Sequence, residues 1–159
     1  ELMKTGSVSV IRGNASEIRA MVSDELRTKG VDSTVSAGSA VESAKLLQQK
    51  FGCIICISGA IDYIISQTKI AQVHNGHEMM ARITGMGCSA TALVGAFAGI
   101  TNDYFEAAVS GMALMGVAGE LASKESPGPA SLELNFLNKL YNLTEMEYFA
   151  TIKLRSENV

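Results

Sequence analysis

The run Cys53-Ile-Ile-Cys-Ile57 is wholly apolar and is followed directly by Ser58-Gly59. A short apolar run of this kind is typical of a strand buried on both faces of a parallel sheet, because a half-exposed strand would alternate apolar and polar residues. Helices must then cover both faces of the sheet. The chain is therefore predicted to have an α/β fold with a layered sheet and flanking helices.

The neighbouring patterns supply further elements of this architecture. An alternating segment predicts a first strand over Ser7–Ile11. The helix after it is predicted to begin at Asn14 and to bury one face formed by Ile18, Met21, Val22 and Leu26. A hairpin is predicted from Tyr63–Ser66 and Lys69–His74. Three or four strands are fewer than a doubly wound sheet normally has, which indicates part of a larger sheet.

Three small-residue or amphipathic helices are predicted in the second half of the chain. They cover Cys88–Ile100, Phe105–Leu121 and Ser131–Tyr141. In the last of them, Leu134, Leu137 and Leu140 are predicted to point inward.

The spacing of a capping box occurs three times in the chain. The pairs are Asn14 with Glu17, Ser39 with Glu42, and Thr144 with Glu147. Because the pattern recurs so readily, the Asn14 and Glu17 pair taken alone indicates a helix start rather than a functional site.

Composition limits the class of protein and its partners. The 159 residues are 47% hydrophobic, which predicts one globular domain over residues 1–159. Only 18% are charged, against about 25% in an ordinary soluble domain, so part of the surface is expected to be buried by a neighbouring subunit or by a missing piece of the fold. The net charge of -3, without clustered Lys or Arg, argues against nucleic acid as a partner.

Membrane insertion and secretion are not expected. The longest uncharged stretch, Ile83–Asn102, has the length of a membrane span but is rich in Gly, Ala and Thr, which favours a buried helix of small residues. The chain opens without a secretory pattern, and its three cysteines (Cys53, Cys56 and Cys88) suggest free thiols in the cytoplasm.

Two pairs of candidate metal-binding or redox residues favour structural roles. Cys53 and Cys56 are three apart on the predicted strand, so their side chains point to opposite faces and cannot share a metal ion or a disulfide. His74 and His77 flank Asn75-Gly76, and Glu78 is the only adjacent carboxylate. A loop with structural hydrogen bonds is therefore favoured over a metal site.

The segment Gly85-Met-Gly-Cys88 is the most specific signal in the chain. Its two glycines let backbone approach a ligand, and the helix behind them offers free N–H groups and the positive end of its dipole to an anion. The alternative interpretation is a glycine-rich helix start that binds no ligand. The thiol of Cys88, at that helix start, is expected to act as a nucleophile or a base.

The same glycines satisfy the loose dinucleotide pattern G-x-G-x-x-A, but the acid that should follow would be Glu106, inside a predicted helix. A Rossmann-type oxidoreductase is therefore the weaker alternative. The phosphate-binding P-loop and the protein-kinase motifs are absent.

Three segments together closely resemble hydroxyethylthiazole kinase, a family with the ribokinase-like fold. They are Val10-Ile-Arg-Gly-Asn-Ala-Ser-Glu-Ile18, Val73-His-Asn-Gly-His77 and Ile83-Thr-Gly-Met-Gly-Cys-Ser89. The resemblance covers nearly the whole chain but only about the C-terminal three-fifths of such a kinase. The resemblance implies that the family's N-terminal strands and helices are not in this sequence.

This resemblance implies transfer of the γ-phosphoryl group of ATP to the primary alcohol of hydroxyethylthiazole, with Mg²⁺, in a homotrimer whose sites lie between subunits. A non-catalytic nucleotide-binding fragment, active only with the missing N-terminal part, is the first alternative. Either way, ATP is the implied nucleotide.

The resemblance also assigns roles to individual residues. Asn14 and Glu17 would hold Mg²⁺ through water, and Cys88 would be the catalytic base. Gly85 would contact the thiazole as well as the phosphates. The implied nucleotide-binding set is Arg12, Ser58, Gly85, Met86 and Gly87. Two residues depart from the family pattern: Ala60 stands where Glu is usual, and Met86 stands where a small residue is common.

Overall fold

The computed structural model describes residues 7–22 and 37–159 of the chain. Strand β1 (Val10–Asn14) leads into helix α1 (Ala15–Ala20), and α2 (Ala37–Phe51) precedes β2 (Ile54–Ser58). A hairpin of β3 (Asp62–Ile65) and β4 (Lys69–Val73) follows. The remaining elements are a 3-10 helix (Glu78–Arg82), α3 (Met86–Ala98), α4 (Tyr104–Ser123), α5 (Pro129–Asn142), α6 (Glu145–Thr151) and β5 (Leu154–Asn158).

The five strands form one mixed sheet in the order β1-β2-β3-β4-β5. Strand β2 pairs in parallel with β1 and antiparallel with β3, and the later pairs are antiparallel. Ile55, Cys56 and Ile57 of β2 are buried, so the prediction of a strand buried on both faces is confirmed. Among the described strands, the expected parallel sheet is present only between β1 and β2, because the short connection after β2 brings β3 back antiparallel to it.

Helices cover both faces of the sheet, as the α/β prediction requires. Helices α1 and α2 pack on one face, where Ile18 and Leu47 meet Ile55. Helices α3, α4 and α5 pack on the other face, where Val94 and Phe136 belong to the larger hydrophobic cluster. Cys53 lies in the first cluster and Cys56 in the second, which confirms that the two thiols point to opposite faces.

Two of the predicted capping boxes are present, and one is not. Asn14 caps α1 and Thr144 caps α6, each together with the glutamate three residues on. Helix α2 begins at Ala37, so Ser39 lies inside the helix and does not cap it. Ile18 of α1 and Val22, just beyond its end, are buried as predicted, whereas Met21 at the C-cap is 42% exposed and Leu26 lies outside the described residues.

The inward face of α5 differs from the prediction. Leu134 and Leu137 are 63% and 56% exposed, while Leu132 and Phe136 are buried. Leu140, in turn, is half-buried against the core. Both sets of residues have helical spacing, so periodicity could not choose between them. The face that carries Leu132 and Phe136 packs against the core.

The uncharged stretch Ile83–Asn102 forms a helix of only 13 residues, Met86–Ala98, after a turn. Within the described residues, one helix, Tyr104–Ser123, is long and apolar enough to cross a membrane, but 72% of its most apolar window is buried inside the protein. This helix, α4, is the central core helix of the layer that it shares with α3 and α5.

Candidate functional site

A cavity of about 730 Å³ lies at the end of the sheet where β1 and β2 finish. Its polar side is lined by Arg12, Asn14, Glu17, Ser58 and Asp62. Its other side is mostly apolar and includes Met80, Ile83, Met86, Met112 and Met115. Six of the residues assigned by resemblance therefore meet in one place, namely Arg12, Asn14, Glu17, Ser58, Met86 and Gly87.

Arg12 connects three elements around this cavity. Its Nη1 donates a hydrogen bond to the carbonyl oxygen of Gly87 at 3.1 Å, and its Nη2 donates to Oγ of Ser58 at 2.5 Å. The Nε atom of Arg12 is buried and has no hydrogen-bond partner. Among the residues that the structure describes, the guanidinium thus carries its charge at the start of α3 with neutral acceptors bound to it.

The glycine-rich segment forms the start of α3 as predicted. Gly85 is the N-cap, with φ of 91°, a left-handed conformation that glycine adopts without strain. Because glycine offers no capping side chain, the first N–H groups of α3 receive no hydrogen bond from a side chain at the cap. Cys88 is exposed in the first turn of this helix. Gly85 and Cys88 lie beside the residues that line the cavity rather than among them.

Asn14 and Glu17 form a closed pair at the start of α1. The amide of Glu17 donates to Oδ1 of Asn14 at 2.9 Å, and the amide of Asn14 donates to Oε2 of Glu17 at 2.7 Å. Both residues line the cavity, so the pair that caps the helix also forms part of the cavity wall.

Asp62 is a cavity residue that sequence reasoning missed. It is 8% exposed, and its Oδ1 accepts a hydrogen bond from the amide of Gly59 at 2.9 Å. Burial raises the pKa of Asp62 to about 6, although the Gly59 amide and the nearby charge of Arg12 both lower it. The available signal was an aspartate three residues after Ser58-Gly59, a spacing at which an aspartate can accept from a turn amide.

Asp62 makes folding stability depend on pH in a definite direction. The folded chain holds the proton more tightly than the unfolded chain, since the pKa rises from 3.8 to about 6. This group therefore favours folding most below pH 4, and its contribution is lost as the pH rises through 6. Relative to Asp62→Asn, the wild-type chain is expected to lose about 2 kcal/mol between pH 4 and pH 7.

Urea unfolding of both proteins at the two pH values measures this difference. Subtracting one variant from the other removes the contributions of the remaining carboxylates, which both chains share. A difference that does not change with pH would contradict the assignment of a buried, ionised carboxylate.

The loop after β4 also lines the cavity, through residues 74–77. Asn75 is buried, and its Nδ2 donates to Oε2 of Glu120 at 2.8 Å and to the carbonyl oxygen of Thr151 at 2.9 Å. Its Oδ1 accepts from the amide of Lys153 at 2.6 Å, and Nζ of Lys153 donates to Oε1 of Glu120 at 2.6 Å. These bonds fix the loop to α4 and to the C-terminal segment.

The two histidines make the structural hydrogen bonds that the sequence predicted. Nε2 of His74 lies 3.1 Å from Oε1 of Gln72, and Nδ1 of His77 accepts from the amide of Met79 at 3.3 Å. Within residues 7–22 and 37–159, no group of three or more His, Cys, Asp or Glu side chains is placed to hold a metal ion.

Comparison with known proteins gives a consistent result. The model of the hydroxyethylthiazole kinase family matches residues 1–146. A hydroxyethylthiazole kinase of Syntrophus aciditrophicus is 46% identical over 97% of this chain and 57% of its own length. One of Oleidesulfovibrio alaskensis is 43% identical over 97% of this chain and 58% of its length.

A solved structure gives the same match at the level of the fold. The hydroxyethylthiazole kinase structure from Pyrococcus horikoshii superposes with a TM-score of 0.80 at 30% identity, over 98% of this chain and 57% of that one. The chain thus spans a little more than half the length of the relatives that it matches.

Proposed function

Because the chain belongs to the hydroxyethylthiazole kinase family, we propose that it acts in the ATP-dependent phosphorylation of the primary alcohol of hydroxyethylthiazole. The observation that carries the proposal is the bridge made by Arg12 from β1 to Ser58 and to Gly87 at the start of α3. This bridge brings a fixed positive charge next to free helix amides. Such an arrangement suits the terminal phosphates of a nucleotide.

The chemistry of phosphoryl transfer asks little more of a protein than positioning and neutralisation of charge. In the proposed reaction, the alcohol oxygen bonds to the γ-phosphorus as the bond to the β-phosphate oxygen breaks and ADP leaves. Arg12 and the amides at the start of α3 would stabilise the negative charge on the transferring oxygens. Cys88, exposed in the same turn, would accept the alcohol proton on Sγ.

The donor set at α1 fits Mg²⁺ held through water. Asn14 and Glu17 present amide and carboxylate oxygens, the ligand types that Mg²⁺ prefers, and Mg²⁺ usually keeps several of its waters. Oε2 of Glu17 already accepts from the Asn14 amide, so Oε1 would be the atom that holds a metal-bound water. When bound there, the ion would supply positive charge for the β- and γ-phosphates.

The apolar side of the cavity suits an aromatic ring, because methionine sulfur makes favourable contacts with ring edges. The proposal places the thiazole next to Gly85. It also includes a single domain over residues 1–159, a cytoplasmic location and a homotrimer with sites between subunits. Exposed apolar side chains on α5 and α6 support a covered surface: Leu134, Leu137, Tyr141, Met146 and Phe149.

Phosphate transfer from γ-labelled ATP to hydroxyethylthiazole tests the proposal. The assay compares this chain alone with the same chain extended by the coding sequence upstream of Glu1. Labelled product is expected from the extended chain. Product from the extended chain only would favour the alternative of a nucleotide-binding fragment. No product from either, or binding of NAD in place of ATP, would overturn the proposed function.

A further inference from the structure

Asp62 stands out among the acidic residues of the described chain. It is the only one of them that is buried, at 8% exposure, and it lines the cavity beside Arg12 and Ser58. One of its oxygens accepts from the Gly59 amide, in the turn that directly follows Ser58. A buried charge is costly unless something in its surroundings compensates it. The position of Asp62 therefore calls for a reason beyond packing.

The register of the sheet places Asp62 on the same face as Arg12 and Ser58. Arg12 pairs with Cys56, and Cys56 pairs with Ile64, so these three share one face. Ser58 lies two residues after Cys56, and Asp62 lies two residues before Ile64, which keeps both on that face. Three adjacent strands thus bring a cation, a hydroxyl and a carboxylate to one end of the sheet.

The contacts of Arg12 show why a carboxylate is needed there. The two acceptors that Arg12 reaches among the described residues, Gly87 O and Ser58 Oγ, are neutral, and its Nε has no partner there. A partly buried guanidinium with neutral acceptors still lacks a compensating charge. Asp62 lies on the same face and lines the same cavity as Arg12, which makes it the buried acidic side chain placed to balance that charge. Attraction to Arg12 lowers the pKa of Asp62, although burial raises it by more.

We propose that Asp62 is a positioning residue for the terminal phosphates of ATP, which holds the turn after Ser58 and balances the charge of Arg12 before the nucleotide binds. This inference rests on the proposed function, because it concerns the same nucleotide. Its physical basis is preorganisation. A guanidinium and a hydroxyl that already occupy their binding positions cost less conformational entropy when the phosphates arrive.

Electrostatic repulsion alone predicts the opposite change in ATP affinity, so the sign of the change decides between repulsion and positioning. A carboxylate near the phosphates repels them, so its removal would tighten ATP binding if repulsion outweighed positioning. The proposal requires the reverse. Neutral variants of Asp62 must bind ATP more weakly while the fold remains intact.

The experiment measures ATP dissociation constants by calorimetry at pH 7.5 with Mg²⁺. It uses this chain alone if it binds ATP, and otherwise the extended chain. Asp62→Asn keeps the size of the side chain and an acceptor for the Gly59 amide but removes the charge. The matched control is Asp103→Asn, which makes the same change of charge at the cap of α4, where Asp103 accepts from the amides of Phe105 and Glu106. Asp103 does not line the cavity.

We expect Asp62→Asn to raise the dissociation constant at least fivefold, with a melting temperature equal to or above that of the wild type. Asp103→Asn is expected to stay within twofold. If Asp62→Asn does not fold, Asp62→Ser, which also keeps an acceptor without charge, takes its place. Unchanged or tighter ATP binding in the folded variant, or an equal loss in Asp103→Asn, would overturn the inference.

A double-mutant comparison tests whether Asp62 acts through Arg12. In an Arg12→Gln background the charge that Asp62 balances is gone, so adding Asp62→Asn is expected to change the dissociation constant less than twofold. A fivefold loss of ATP affinity in the Arg12→Gln background as well would show that Asp62 does not act through Arg12, and would overturn the inference. If the wild-type chain, extended or not, binds no ATP, the proposed function fails first, which separates that result from a failure of this inference.

Discussion

Replacing Cys88 with alanine is expected to lower the turnover of phosphoryl transfer about 100-fold while ATP affinity stays within twofold of the wild type. The thiol is exposed in the first turn of α3, beside the cavity but outside its lining. Removing it takes away the group that would accept the alcohol proton. It leaves in place the Arg12 bridge and the helix amides that would bind phosphate.

A labelled-phosphate rate assay and an ATP titration of the same preparation measure the two quantities. Cys88→Ser serves as the matched control for size, because it replaces the thiol with a hydroxyl of similar volume that does not ionise at neutral pH. It is expected to be slow as well. Parallel loss of turnover and of ATP affinity in Cys88→Ala would contradict the base role and indicate that the residue shapes the phosphate site.

The second large effect concerns the contact between α3 and α4. Gly111 of α4 lies directly against Val94 of α3, and a Cβ added at Gly111 would stand 2.8 Å from the Cα and N atoms of Val94. Backbone atoms cannot give way as the end of a flexible side chain can. We therefore expect Gly111→Ala to lower the free energy of unfolding by about 3 kcal/mol.

Gly95→Ala provides the matched control on the partner helix. Gly95 is also helical and exposed, but a Cβ there would meet nothing within 4 Å. Alanine is the better helix former, so this change is expected to raise stability by up to about 1 kcal/mol. Urea midpoints of the two variants measure both effects. A Gly111→Ala variant as stable as the wild type would show that the two helices can separate without cost.

The contact at Gly111 also connects stability to the site. Helix α3 carries Gly87, the acceptor for Arg12, and α4 carries Met112 and Met115 of the cavity wall. Close packing of the two helices therefore fixes the distance between the phosphate side and the apolar side of the cavity. The small residues that the sequence predicted for these two helices allow this close approach.

Predictions that depended on short-range chemistry were confirmed. The apolar run ending at Ser58, the Asn14 capping box and the helix start at Gly85 follow from residues within a few positions of each other. The family motifs are local in the same sense, because each is a short segment that is recognised from neighbouring residues alone. Two predictions that failed concerned which side of a helix meets the core. Met21 and Leu134 are exposed because the neighbouring elements cover a different face of α1 and of α5.

Strand β5 and Asp62 could not be predicted for a related reason. Residues Leu154–Asn158 are all exposed and carry no apolar alternation, so they form a strand only because the edge of β4 is there to pair with. The spacing of Asp62 from Gly59 could have indicated a turn hydrogen bond, but no local feature indicates that this aspartate is buried. Its burial and its place beside Arg12 arise from three strands that are distant in sequence.

The amino-acid sequence alone determined the layered α/β class, the family and six of the residues around the cavity, since hydrophobic period, caps and glycine motifs are local properties of the chain. Only the tertiary structure decided which helix faces are buried, that Arg12 bridges Ser58 and Gly87, and that Asp62 accompanies them. The physical reason is that burial and electrostatic compensation depend on distances between segments far apart in sequence, and those distances exist only once the sheet has formed.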